Sequence, residues 1–320
     1  MTDRDASPGN KRIILVYPHG FCAGVERAVK TAELMLKEFH KPVYCLKQIV
    51  HNQQIVDRLS AEEMIFLKDI RDVPRGSPVL FSAHGVPPEV PRIAKEMDLT
   101  VIDATCPFVS RLHTELLRYV KRGFHVIMIG HRTHDEVVGV AGEAPEHVTV
   151  VESVDEAEKM VVSNPGKIAV LTQTTLSMDE VARILDTLKR RFPTLEMPAD
   201  HCVCYATRHR QDAVRAISVR ADIFIVLGTA NSSNSNRLVE VARSRGCKAA
   251  LVSSLDQLAD VPLEGVMTIG LTAGASTPES YVDATIDALK ARGFHDVERV
   301  TVVQEDVHFA LPSGLKKTGN

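Results

Sequence analysis

The 320-residue chain has no apolar run approaching the roughly 18 residues that span a bilayer, so no membrane partner is expected. Neither sign of charge dominates: 38 Lys and Arg against 41 Asp and Glu leave a net charge of -3, which argues against nucleic acid as the principal partner. A Walker loop and a Rossmann glycine signature are both missing, which excludes the usual nucleotide cradles. Residues 1–12 are charged and polar around a Ser-Pro-Gly turn, where an export signal would carry an apolar stretch; they read as a disordered lead-in to a cytoplasmic protein. Six cysteines without such a signal read as reduced thiols, suited to metal or redox use and not to a disulfide framework. With 44% hydrophobic and 25% charged residues, the composition is that of a soluble globular protein of two or three small domains.

What is present is organised around Val101-Ile102-Asp103-Ala104-Thr105-Cys106-Pro107. Its β-branched residues read as a strand end, and Pro107 suits the first turn of a helix running to Lys121. A thiolate at that junction is favoured by the outward-pointing N–H groups that open the helix. The arrangement recurs at Cys22 and Cys204. From Cys22 it is 29 residues to His51, from Cys106 it is 28 to His134, and from Cys204 it is 28 to Ser232. A later strand in each copy ends in small polar residues, at Ser82-Ala83-His84-Gly85, Thr172-Gln173-Thr174-Thr175 and Thr272-Ala273-Gly274-Ala275-Ser276.

Strands alternating with helical patterns indicate an α/β fold with largely parallel sheets, here three diverged copies of one unit. The expected divisions are a lead-in at 1–12, units at 13–106, 107–200 and 201–300, and a tail at 301–320. Three such units pack most simply about a pseudo-threefold axis, with equivalent strand ends facing one central, cluster-containing cavity. In the tail, Val307 to Pro312 is apolar enough to dock.

Three equivalent cysteines, without a fourth, can hold an iron–sulfur cube by three of its irons. They suit an open zinc site equally well. The surrounding candidates, His51, His84, His134, Ser232, Ser233, Asn234 and Ser276, are neutral or weakly cationic hydrogen-bonding groups that fit a compact diphosphate. Glu136 beside His134 is either a proton donor or, three residues after Thr133, half of a capping box. In Cys202-Val203-Cys204 either thiol could be the useful one, and the spacing to Ser232 favours Cys204; Cys45 and Cys247 read as structural.

Seven motifs carry a further signal: Gly20-Phe21-Cys22-Ala23-Gly24-Val25, Ser82-Ala83-His84-Gly85-Val86, Asp103-Ala104-Thr105-Cys106-Pro107, Thr172-Gln173-Thr174-Thr175-Leu176, Cys204-Tyr205-Ala206-Thr207, Asn231 to Arg237, and Thr272-Ala273-Gly274-Ala275-Ser276. In this order, from about Ile13 to Ser280, the chain resembles the 4-hydroxy-3-methylbut-2-enyl diphosphate reductases of isoprenoid biosynthesis. The resemblance implies a [4Fe–4S] cluster on Cys22, Cys106 and Cys204 with one iron open to the substrate hydroxyl. It implies diphosphate binding by His51, His84, His134, Thr174, Ser232, Ser233, Asn234 and Ser276, and proton delivery by Glu136 aided by Thr174 and His134. Two electrons, expected from a ferredoxin or flavodoxin, and two protons would give isopentenyl and dimethylallyl diphosphate. A zinc hydrolase and a non-catalytic cluster-bearing sensor are the alternatives.

Four places depart from the family pattern: His19 for arginine, Arg132-Thr133 for two small residues, Asp135 for proline, and Arg208-His209 for Thr-Asn. An aspartate beside Glu136 is expected to raise the pKa of that glutamate.

Overall fold

A computed structural model of the chain describes residues 11–39, 42–198 and 203–315. The expected lead-in therefore lies outside the described residues except for Lys11 and Arg12, as do Cys202 and the last five residues of the tail. Among the described residues the strands are β1 Arg12–Tyr17, β2 Val43–Leu46, β3 Met64–Leu67, β4 Pro78–Phe81, β5 Thr100–Asp103, β6 His125–Ile129, β7 Val148–Val151, β8 Ile168–Thr172, β9 Ile223–Leu227, β10 Lys248–Val252, β11 Thr268–Ala273 and β12 Asp296–Thr301. The fold is α/β, and every strand pairing within its three sheets is parallel. No described helix is long and apolar enough to cross a membrane.

The chain divides into two compact units. One comprises residues 1–22 and 205–306 and holds a five-stranded sheet in the order β10-β9-β11-β1-β12. Its inner strands are apolar on both faces, as a covered parallel sheet requires: Ile223 to Leu227 are all buried, Ile225 and Leu227 packing with Ile269, Leu271 and Leu289, and Phe224 and Val226 with Ile14, Val16 and Val214. The other unit, residues 23–204 and 307–320, holds the sheets β3-β2-β4-β5 and β7-β6-β8. Two apolar layers flank the smaller sheet, one around Ile127, Ile129 and Val170, the other around Val126, Met128 and Leu171.

The repeat read from the sequence is visible as topology. In β3-β2-β4, β7-β6-β8 and β10-β9-β11 the first strand of each copy is central, the second lies on one side and the third on the other. The stretch that leads into each cysteine pairs with the third strand of another copy, the preceding one for Cys106 and Cys204 and the last one for Cys22. Thus β5 lies on β4, Glu196 bridges to Ala169 of β8, and β1 lies on β11. Hence β1 belongs to the sheet of β9–β11, and the stretch Phe192 to Pro198, read from sequence as a linker, carries a strand-like bridge in the equivalent place.

Candidate active site

Because every sheet is parallel, the loops leaving the strand ends of each sheet lie on one edge, where ligands of such sheets bind. The central strands β2, β6 and β9 end at Leu46, Ile129 and Leu227, and five residues beyond each stand His51, His134 and Ser232. Each lies at a helix start: Asn52, His134 and Ser232 are the N-caps of Gln53–Ala61, Asp135–Ala141 and Ser233–Ser244. The third strands continue as Ser82-Ala83-His84, Gln173-Thr174-Thr175 and Gly274-Ala275-Ser276.

The three cysteines occupy matching backbone frames. The N–H of Cys106 donates to the carbonyl of Ala83 (2.9 Å), that of Cys204 to Thr174 (3.1 Å) and that of Cys22 to Ala275 (3.2 Å), and these acceptors stand at the same position after β4, β8 and β11. Helices begin at the next residue in each case, Pro107, Tyr205 and Ala23. All three thiols are part-exposed, whereas Cys45 and Cys247 are buried, and burial raises the pKa of both. Cys22 belongs to the first-described unit, Cys106 and Cys204 to the other.

Within the larger unit His51, His84 and His134 form one cluster. The rings of His51 and His84 stack at 4.0 Å, and His134 presents an edge to them at 5.1 and 5.8 Å. Burial lowers the pKa of all three, that of His134 to about 4 and that of His84 well below the ordinary histidine value. The N–H of Glu136 donates to His134 Nδ1 (3.2 Å), so the neutral ring carries its proton on Nε2. The capping box, one of the two readings of Glu136, does not form: His134 and not Thr133 caps the helix, and the Glu136 side chain turns inward. Its two oxygens accept from the N–H and the hydroxyl of Thr174, each at 2.7 Å.

Glu136 is 2% exposed, and burial pushes its pKa up to about 7 against the opposing pull of the two Thr174 bonds. The cause expected from sequence, repulsion by Asp135, does not operate. The Asp135 carboxylate is bonded to Lys47 Nζ at 2.5 Å and belongs to the surroundings of the histidines.

In the other unit, Ser232 Oγ accepts from both the N–H and the hydroxyl of Ser235, leaving its own hydroxyl hydrogen to donate. Asn234 is 5% exposed, and neither its amide nitrogen nor its oxygen has a hydrogen-bond partner. An orphaned buried amide is costly and is explained most simply by a polar ligand. Ser233 is part-buried and Ser276 is buried beside Ala275, the acceptor of the Cys22 N–H. Ser235 was not legible as a site residue. It is fully buried because Gly228 and Gly274 lack side chains: a Cβ on either would lie 2.2 or 2.1 Å from Ser235 Oγ. Gly228→Ala is therefore expected to destabilise the protein by about 1–3 kcal/mol through overpacking, read as a lower Tm.

Other contacts hold the cysteine loops. Arg210, 1% exposed, donates to the carbonyls of Gly20 and Ala206 and pairs with Glu305 at 3.1 Å. His209, one of the departures from the family pattern, bonds the same carboxylate at 3.2 Å. In the larger unit Arg27 donates to the carbonyl of Thr105, next to Cys106, and to that of Ala310, while Phe309 of the tail packs edge-on against Phe108 at 5.9 Å. His19 is held between the Val16 carbonyl and Glu279, and Arg132 faces Glu152 and Glu156, away from the histidines in its bonding.

Residues 13–290 match the family described as LytB protein. A curated protein of Acidothermus cellulolyticus, named 4-hydroxy-3-methylbut-2-enyl diphosphate reductase, is 46% identical over 99% of this chain and 93% of its own length. One of the same name from Rhodococcus jostii is 45% identical over 96% and 92%. Among solved structures, the E-1-hydroxy-2-methyl-but-2-enyl-4-diphosphate reductase of Plasmodium falciparum superposes with a TM-score of 0.92 at 38% identity, covering 95% of this chain and 96% of that one.

Proposed function

This chain belongs to the LytB protein family, and from that membership we propose that it is a 4-hydroxy-3-methylbut-2-enyl diphosphate reductase, removing the allylic hydroxyl with two electrons and two protons. The products on this reading are isopentenyl and dimethylallyl diphosphate. The cofactor is a [4Fe–4S] cluster on Cys22, Cys106 and Cys204. The donor set fits: three part-exposed thiols, each with its N–H tied to an equivalent carbonyl and each opening a helix, supply three soft anionic ligands and no fourth. That threefold agreement is the observation that carries the reading. When bound, such a cluster supplies electrons and Lewis acidity towards the leaving hydroxyl.

The side chains divide the remaining work. His51, His84 and His134 offer ring N–H groups to the diphosphate and gain positive charge as it binds, which their neutral resting state allows. Ser232, Ser233, Asn234 and Ser276 bind its oxygens, and the unpaired Asn234 amide supports this assignment. Glu136, buried, holds a proton near neutral pH. Once protonated it donates to Thr174 Oγ1, whose own hydrogen is then free to pass to the leaving oxygen, and His134 keeps the Glu136 backbone in place. A small ferredoxin or flavodoxin is the proposed electron donor.

Anaerobically purified protein should be brown, contain about four irons and four sulfides per chain, and reduce the diphosphate substrate when supplied with a low-potential donor. Zinc in place of iron, with hydrolysis of the substrate, would establish the competing hydrolase. Iron and sulfide without turnover would leave a sensor.

A further inference from the structure

A cation stands beside the histidine cluster that the proposed chemistry does not use. Lys47, immediately after β2, bonds the Asp135 carboxylate at 2.5 Å. That carboxylate is close to the cluster in turn: ligand atoms of His51, His84 and Asp135 all lie within 4.8 Å of one another. The trio could pass for a metal site, but the imidazoles are stacked at 20° and not convergent, and the lysine already occupies the carboxylate. Both charges are felt at the rings, Asp135 favouring the imidazolium of His51 and His134 and Lys47 opposing it.

The backbone gives an independent sign. Lys47 has φ 59°, a left-handed conformation that a lysine adopts at a cost and that glycine adopts freely. Its N–H is held by the carbonyl of Leu67 at 2.7 Å, so the turn is anchored whatever the side chain. A strained lysine persisting where glycine would be easier points to use of its ammonium group.

We propose that Lys47 and Asp135 are a charge-setting pair for the histidine site, in which Lys47 cancels a carboxylate that would repel an incoming diphosphate and so determines affinity for that anionic head. The inference rests on the reading of the cluster as the diphosphate site. Asp135 alone is a liability there: a negative charge within one histidine's reach of a polyanion, in a part-buried setting where screening is weak. Paired with Lys47, the same carboxylate contributes hydrogen-bond order without net repulsion. Lys47 acts through Asp135 and is a positioning residue, not a catalytic one.

Four variants of the anaerobic holoenzyme and one control test this, with inorganic pyrophosphate as calorimetric probe and substrate kinetics beside it. Lys47→Gly should raise the pyrophosphate Kd and the substrate KM by about five- to twenty-fold at low salt, with the loss falling on KM and not kcat. The effect should shrink at about 0.5 M salt, and Tm should hold or rise because glycine suits the turn. Asp135→Asn should tighten pyrophosphate binding by about two- to five-fold, and in the double variant removing Lys47 should weaken binding by a clearly smaller factor than it does with Asp135 in place, a dependence that a merely structural role would not produce. Lys47→Met removes the same charge with the aliphatic stem retained, should the glycine loosen the loop. An unchanged Kd in both lysine variants, or a double variant as weak as Lys47→Gly, overturns the proposal. His84→Ala is the separating control: if it too leaves pyrophosphate affinity untouched, it is the reading of the histidine cluster that fails.

Discussion

Glu136→Gln is expected to lower kcat by about 100- to 10,000-fold while pyrophosphate affinity stays within about two-fold of the parent. The amide is nearly isosteric with the acid, and its oxygen still accepts from the Thr174 N–H, so the helix Asp135–Ala141 and its His134 cap should remain. What disappears is the transferable proton. The pH dependence follows from the same burial. With the carboxyl pKa pushed up to about 7, the protonated acid dominates below that pH and is depleted above it. Thus kcat/KM for the parent should fall towards tenfold per pH unit above about 7. In the glutamine variant that limb should flatten. Stopped assays across pH 5.5–9 at fixed ionic strength check both claims, and parent-like turnover in Glu136→Gln ends the proton-donor assignment.

Loss of one thiol should be equally severe. Cys106→Ala, purified anaerobically, is expected to carry little iron and sulfide and to lose on the order of 100-fold or more of turnover, because two thiolates hold a cube poorly. Cys22→Ala and Cys204→Ala should match it, since the three residues share one backbone frame. Each variant should remain folded by circular dichroism, as the cysteines are part-exposed and not core. Cys202→Ala should keep its cluster; the reverse result for Cys202 and Cys204 would move the ligand by two residues.

The class of fold was legible because parallel sheets are covered on both faces, and runs such as Ile223 to Leu227 announce it. The repeat was legible because spacing survives divergence: Ser232 is unlike His51 and His134, yet all three stand five residues beyond a central strand. The N-terminal strand was not assignable in the same way. An apolar strand of six residues suits any sheet, and only pairing shows that β1 lies between β11 and β12. Glu136 was a candidate from its neighbours, but a capping box was an equal reading, since Thr133-x-x-Glu136 meets the local rule. A long-range bond from Thr174, 38 residues away, holds the Glu136 side chain away from the cap.

Lys47 and Ser235 mark the limit. Nothing local distinguishes a lysine in a left-handed turn from one on a helix, or a serine wedged between Gly228 and Gly274 from one in solvent. What the sequence determined by itself was the inventory and its register: three cysteines that each open a helix, and His51, His134 and Ser232 at one repeated distance from a strand end. Those quantities are local, and chain connectivity alone enforces them. The tertiary structure decided protonation and pairing. Burial of Glu136, compression of the histidine rings and capture of Asp135 by Lys47 depend on which distant atoms exclude water.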